Sequence, residues 1–189
     1  MPNPAITPLP RDAMEPRWRA VAETADQVRG ESTLIEVLAQ APELLAWYYD
    51  GFYAEVFFKG RVERRVKEVL RLSLSTIHGC AFCNKGNTKS ALDAGVTPAQ
   101  IDAIGDIGNP VFDDRDRAVM RLAAEMALPN MQGECTPALQ AELRRFFSEA
   151  EVVELAMVAA VLTGMAKMLF VFDLVSREAT CPIGPRALR

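Results

Sequence analysis

The feature that most constrains the fold of this chain is a helical repeat of apolar residues along most of its length. In the segment 61–77 these residues fall three or four positions apart, at Val62, Val66, Val69, Leu70, Leu74 and Ile77. That spacing places them on one face of an α-helix. No segment of any length alternates apolar and polar residues as a half-buried strand does. The sequence therefore predicts an all-α fold.

Further helices are predicted from periodicity and from glycine and proline positions. They span about 12–28, 42–58, 80–94, 97–104, 113–128 and 151–175, with shorter ones beginning at Ser32 and Thr136. Gly30 and Gly95 are expected stops, because glycine readily adopts the left-handed conformation that ends a helix. Proline after threonine, as at Thr97 and Thr136, is typical of a helix start.

Length and composition predict a single domain with short flanking segments. The chain has 189 residues, of which 50% are apolar and 24% charged, which is enough for a substantial core. Four prolines among the first ten residues exclude a helix there and predict an extended arm. We expect residues 1–30 to form this arm and a first helix, residues 31–176 the helical domain, and residues 177–189 a tail.

The net charge and the distribution of basic residues argue against several classes of binding partner. The net charge is −4 and basic residues form no sustained run, so neither nucleic acid nor an anionic membrane surface is an expected partner. The basic residues at 61, 64, 65 and 67 are interleaved with glutamates and are expected on a solvated helix face. The N-terminus has no basic head followed by an apolar run, and a cytoplasmic location is therefore expected.

The segment 42–58 holds half of the aromatic residues of the chain, at Trp47, Tyr48, Tyr49, Phe52, Tyr53, Phe57 and Phe58. Such a helix is apolar nearly all round. Large aromatic burial favours a core or subunit-facing helix. The alternative is the wall of an apolar substrate pocket, and the pattern alone does not separate the two.

The segment 155–172 is almost wholly apolar and long enough to suggest a membrane span. Lys167 lies inside it, however, and Ala156, Ala160 and Gly164 fall four apart, which allows another helix to approach closely. We therefore predict a core or subunit-interface helix and no membrane association. Because the apolar helix surface exceeds what a monomer of this size easily covers, we expect a homo-oligomer.

The chemistry of the chain centres on Cys80 and Cys83. Two cysteines three positions apart at a helix start can close a disulfide, and the helix N-terminus favours the reactive thiolate. The same spacing supplies half of a zinc site, but no second such pair accompanies it. Cys135 and Cys181 are isolated in sequence and are interpreted as structural or incidental thiols. We expect a redox pair, with no metal and no cofactor.

The residues around this pair resemble a known superfamily. Glu68 precedes Cys80 by eleven intervening residues, and the pattern Leu-x-Leu-Ser-x-x-x-Gly-Cys-x-x-Cys ends at Cys83. This pattern is similar to that of the alkylhydroperoxidase (AhpD-like) / carboxymuconolactone decarboxylase superfamily, in its cysteine-containing branch. The similarity is best from about Pro42 to Ile104.

That resemblance implies an all-helical bundle that assembles into trimers or hexamers and reduces organic hydroperoxides. It implies that Cys83 attacks the peroxide, that Cys80 then closes a disulfide, and that an external dithiol reduces the pair. A disulfide substrate is the other implied partner. The glutamate at the position of Glu68 belongs to the proton relay of such enzymes.

One position departs from the superfamily pattern. Redox members usually carry a histidine four residues after the second cysteine, and this chain has Asn87, which cannot take up and return a proton near neutral pH. The resemblance therefore predicts a slow thiol peroxidase. His78, the only histidine, either favours the thiolate at Cys80 or faces the last carbonyls of its helix. Glu68 could instead be a solvated partner of nearby arginines.

Two further interpretations stay open at this level. One is a non-catalytic oligomeric scaffold or redox sensor with the same fold, and the other is a decarboxylase-like lyase. Lactone decarboxylases of the superfamily generally lack the cysteine pair, which favours the redox branch.

Overall fold

A computed structural model describes residues 2–181, which form helices and loops with no β-strand. The α-helices are α1 (Pro16–Arg29), α2 (Thr33–Leu38), α3 (Pro42–Ala46), α4 (Arg64–His78), α5 (Ala81–Asp93), α6 (Pro98–Asp102), α7 (Asp114–Met126), α8 (Pro137–Arg144) and α9 (Glu149–Val171). A short 3-10 turn, Arg11–Ala13, precedes α1, and a π-helical segment, Trp47–Phe58, continues α3. The predicted all-α class is confirmed.

Local signals place most helix ends. Gly30 and Gly79 adopt left-handed conformations, with φ of 81° and 63°, and they end α1 and α4. Thr97 and Thr136 accept hydrogen bonds from the backbone N–H three residues ahead and so begin α6 and α8. The segment 42–58 is the exception, because its second part has the wider π-helical turn rather than a continuous α-helix.

Helix α4 is the centre of the molecule. Eleven of its fifteen residues are buried, and it packs against α5, α7 and α9. Val66, Leu70 and Leu74 face a core shared with α7 and α9, while Val69 and Leu72 face a second core with α5 and the loop before α7. The apolar residues of this helix stabilise the fold mainly through burial, at about 25 cal/mol per Å² of apolar surface.

Two of the four basic residues near the start of α4, Arg65 and Lys67, do not lie on a solvated face, contrary to expectation, whereas Arg61 is exposed. The Lys67 side chain is fully buried, and its ammonium donates to Glu154 Oε1 at 2.9 Å and to the Val56 carbonyl at 2.7 Å. Arg65 donates to both carboxylate oxygens of Asp116, at 2.8 and 2.9 Å. The prediction was wrong for these two residues because a charged residue shows the same sequence pattern whether its partner is another helix or water.

The N-terminal arm has no helix in residues 2–10 and lies against the helices. The Ala5 N–H donates to the Phe172 carbonyl at 2.9 Å, and the Leu9 N–H donates to the Glu36 carbonyl at 3.0 Å. After it, α1 buries Trp18, Ala22 and Ala25 in one core with the start of α5. Of the predicted tail, residues 182–189 lie outside the described part of the chain, and the proposed domain limits stay a prediction.

Helix α9 presents an apolar stripe to the surface. Its side toward α4 is buried, but six residues spaced alternately four and three positions apart are exposed: Val153, Met157, Ala160, Gly164, Lys167 and Val171. Within residues 2–181, α9 is also the one helix long and apolar enough to cross a membrane, and 28% of its most apolar window is buried. Spacing by fours and threes is that of a helix–helix seam.

We predict that this stripe is a contact between copies of the chain. Light scattering at micromolar concentration should give a homo-oligomer, and Met157→Glu should reduce its mass because a charge would enter the seam. Met131→Glu is the matched control, since Met131 is 90% exposed in a loop. A monomeric wild type, or equal effects of the two substitutions, would contradict the prediction.

We further predict that Lys67→Met destabilises the fold by about 3–5 kcal/mol, because Glu154 would keep a largely buried charge without its cation. Lys59→Met is the control, since Lys59 pairs with Glu55 on the surface, where such pairs contribute about 1 kcal/mol or less. Urea unfolding of both variants measures the difference, and equal losses would show that the buried pair has no special role.

Candidate active site

Cys80 and Cys83 lie at the N-terminus of α5 and form a disulfide, with a Cα–Cα distance of 5.2 Å. Cys80 is the N-cap residue, and its Sγ accepts a hydrogen bond from the Cys83 N–H at 3.2 Å. Cys80 is 1% exposed, whereas Cys83 is half-buried. Because Cys80 is shielded, Cys83 is the more accessible sulfur, and the helix N-terminus favours its thiolate after reduction.

Cys83 lines a cavity of about 260 Å³, and Cys80 is not among the residues of its wall. The wall is formed by α1, α2, the π-helical segment, α4, α5 and α9. Its members with polar or aromatic side chains are Arg29, Tyr48, Tyr49, Tyr53, Phe58, Arg71, Ser75, His78, Phe82, Asn87 and Ser90. The cavity is therefore aromatic, with two guanidinium groups and the Cys83 sulfur on its surface.

The aromatic segment is divided between core and cavity. Phe52 and Phe57 are buried in the core, as the interpretation of this segment as a core helix predicts. Tyr48, Tyr49 and Tyr53 instead line the cavity, as its interpretation as a pocket wall predicts. Burial raises the pKa of Tyr49 to about 12 and that of Tyr48 well above its usual value, so both are neutral phenols at physiological pH.

Glu68 is completely buried beside the cavity and is not a solvated residue. Its carboxylate is held by Arg71, by Arg64 Nε at 3.3 Å and by the Ser90 hydroxyl at 2.7 Å. Arg71 and Ser90 reach the cavity wall, whereas Glu68 does not. Any influence of Glu68 on a substrate or on Cys83 therefore passes through Arg71 or Ser90.

Asn87 is buried on the cavity wall, one helical turn beyond Cys83 on α5. Its side chain makes no hydrogen bond to another residue within the range 2–181, so its amide is available to a substrate or to water. On this helix the Ser90 hydroxyl, and not the Asn87 amide, donates to the Glu68 carboxylate.

His78 also lines the cavity, in a state that neither sequence interpretation described. Its Nε2 accepts a hydrogen bond from the Leu128 N–H at 3.1 Å, and burial lowers its pKa to about 4. The imidazole is therefore neutral near pH 7 and supplies no positive charge to the Cys80 sulfur. The remaining cysteines are free thiols, with Cys135 exposed and Cys181 buried.

Sequence reasoning missed the two arginines of the cavity. Arg71 is buried, donates to Glu68, and keeps Nε without a partner within the described part of the chain. Arg29 comes from the end of α1, which no motif connected to the cysteine pair. Helical periodicity gives no signal for such residues, because it does not show which helices meet.

Comparison with known proteins agrees with this architecture. Residues 42–125 match the sequence pattern of the carboxymuconolactone decarboxylase family. The matched segment runs from α3 to α7. This confirms the resemblance to the alkylhydroperoxidase / carboxymuconolactone decarboxylase superfamily, and the cysteine pair of its redox branch is present at Cys80 and Cys83. No curated protein matches the chain.

Solved structures share the fold. A debrominase, Bmp8, crystallised as a cysteine-to-alanine variant in complex with 2,3,4-tribromopyrrole, is 21% identical with a TM-score of 0.71, and the match covers 94% of each chain. An uncharacterised peroxidase-related protein with an AhpD core, from Ralstonia eutropha, is 14% identical with a TM-score of 0.71 over 100% of each chain. At these identities the likeness establishes the helical fold alone.

We predict an acid sensitivity that comes from His78. Because its pKa is about 4 in the folded protein and about 6.5 when unfolded, its contribution to stability is complete above pH 6.5 and is lost as the pH falls towards 4. Between pH 7 and pH 5 this loss is about 2 kcal/mol.

Urea unfolding at pH 7 and pH 5 tests this expectation. His78→Gln should lose less stability than wild type over that interval, since glutamine does not titrate and can still accept from the Leu128 N–H. Equal losses of stability in the two proteins would mean that burial does not prevent protonation of the His78 imidazole.

Proposed function

We propose that the protein is a thiol-dependent reductase of small organic substrates, and specifically a slow peroxidase. The observation that carries this proposal is the position of Cys83, which borders the cavity while its disulfide partner Cys80 is shielded behind it. A sulfur that meets the substrate and a second sulfur that resolves it are the two parts that a thiol relay needs.

In the proposed reaction, the Cys83 thiolate attacks one oxygen of a hydroperoxide ROOH and the O–O bond breaks. With one proton taken from solvent, the products are the Cys83 sulfenic acid and the alcohol ROH. The Cys80 thiolate then attacks the Cys83 sulfur, the expelled hydroxide takes a second proton to become water, and the disulfide forms. These two protons are the ones that the two thiols released to solvent when they ionised. An external dithiol reduces the disulfide to two thiols and is itself oxidised, so two electrons pass from the dithiol to the peroxide.

The surroundings of Cys83 support a low rate. Asn87 offers an amide and not a base, and His78 is neutral but engaged with Leu128. Glu68 is occupied by two arginines and Ser90. Deprotonation of Cys83 therefore depends on the N-terminus of α5 and on solvent, without the general-base assistance that is typically worth about 10² to 10⁴ in rate.

A second candidate is reductive removal of a halogen from an aromatic ring. The tyrosine-lined wall favours it, because flat rings pack well against aromatic side chains. The balanced reaction converts an aromatic halide ArX and two thiols into ArH, HX and the disulfide. The debrominase is similar to this chain in fold only. Measured turnover of a hydroperoxide and of an aromatic halide therefore distinguishes the two reactions.

Dithiothreitol-dependent consumption of cumene hydroperoxide tests the peroxidase directly. We expect the reduced protein to lose two thiols per chain with stoichiometric peroxide, and we expect Cys83→Ser to abolish both the thiol loss and the turnover. Cys135→Ser and Cys181→Ser should behave as wild type. Loss of thiols from Cys135 or Cys181, or turnover by Cys83→Ser, would overturn the assignment, and no turnover of either substrate class would favour a scaffold or a lyase.

Asn87→His should raise the rate of Cys83 oxidation near neutral pH by about 10² or more, since it places a base one turn from the sulfur. Asn84→His is the matched control, because Asn84 lies on the same helix but not on the cavity wall. Stopped-flow oxidation between pH 5 and 9 measures both. An equal effect of the two histidines would show that position 87 has no special access to Cys83.

A further inference from the structure

One cation of the cavity has no acidic partner within residues 2–181. Arg29 is half-buried at the end of α1, donates to the Phe82 carbonyl at 3.3 Å and lies 4.6 Å from the centre of the Phe82 ring. Arg71, the other cation of the wall, is paired with Glu68. Burial lowers the pKa of Arg29, and a desolvated cation without a counterion is unfavourable unless an anion joins it.

The position of this guanidinium depends on a glycine. A Cβ atom on Gly86 would overlap Arg29 Cζ and both of its terminal nitrogens. Gly86 is one turn beyond Cys83 on α5 and lines the same cavity. Glycine is less favourable than alanine inside a helix, so its effect here is to let Arg29 lie directly against α5 near the reactive sulfur.

The remaining space fits one aromatic ring. An apolar cavity of about 150 Å³ accommodates benzene, so a volume of about 260 Å³ accommodates a ring with substituents. Tyr48, Tyr49 and Tyr53 contribute aromatic rings to the wall, and Arg29 and Cys83 lie on the same wall. A guanidinium is a planar donor that matches a carboxylate in a bidentate manner.

We propose that the cavity binds a small aromatic carboxylate, with its acid group on Arg29, its ring against the tyrosines and its reducible substituent at Cys83. The proposal deepens the proposed function and rests on it only for the step at Cys83. Arg29 lies outside the family match at residues 42–125, so the N-terminal helix supplies the substrate preference while the family segment supplies the chemistry.

Calorimetry with the redox-inactive Cys83→Ser protein tests the subsite, using benzoate and its uncharged analogue benzamide at pH 7. Benzoate should bind about tenfold or more tightly than benzamide, because its hydrogen bonds to Arg29 are charge-assisted. Adding Arg29→Gln should remove the difference. Adding Arg144→Gln should leave it unchanged, since Arg144 lies on α8 in an exposed pair with Glu149.

Gly86→Ala tests the subsite while the positive charge of Arg29 is kept. The new methyl group displaces the guanidinium, so the preference for benzoate should fall while the melting temperature stays equal or rises. Equal affinities for the two probes, or a preference that survives Arg29→Gln, would overturn the subsite. If hydroperoxide turnover persists in that case, the proposed function stands and only the carboxylate assignment fails.

Discussion

The arrangement of the helices depends on three charged residues near the start of α4. Arg65 pairs with Asp116 on α7, Lys67 with Glu154 on α9, and Glu68 with Ser90 on α5 and with Arg71 on its own helix. An unpaired charge in a protein interior costs several kcal/mol. A rotation of α4, or a shift of a neighbouring helix, would therefore break at least one of these pairs. The polar contacts give the core an orientation that apolar packing alone does not specify.

The position of α5 determines the chemistry of the site. The left-handed Gly79 turns the chain directly after α4, and a Cβ there would lie 2.5 Å from the backbone of Cys181. The turn places Cys80 in the core at the helix start and Cys83 on the cavity wall. The two sulfurs differ in exposure because of their positions in this one turn. That difference underlies the division into an attacking and a resolving thiol that we propose.

Relatives of the same fold are named for different reactions, a debrominase and a peroxidase-related protein among them. A fold provides the scaffold, whereas the reaction depends on the residues that meet the substrate. A cysteine pair can supply two electrons to more than one acceptor, so in the function that we propose the walls of the cavity select the substrate. Those walls combine three tyrosines with Arg29, which comes from outside the family segment.

The sequence by itself determined the helices, most of their ends and the Cys80–Cys83 pair. Periodicity, capping residues and close cysteine spacing all act within a few residues of one another. It also placed Asn87 one turn from Cys83. Only the tertiary structure decided that Lys67 is buried, that Ser90 rather than Asn87 donates to Glu68, that His78 is neutral, and that Arg29 borders the site. These properties depend on contacts between segments that are distant in the sequence. The sequence around a side chain is the same whether that side chain contacts water or another helix.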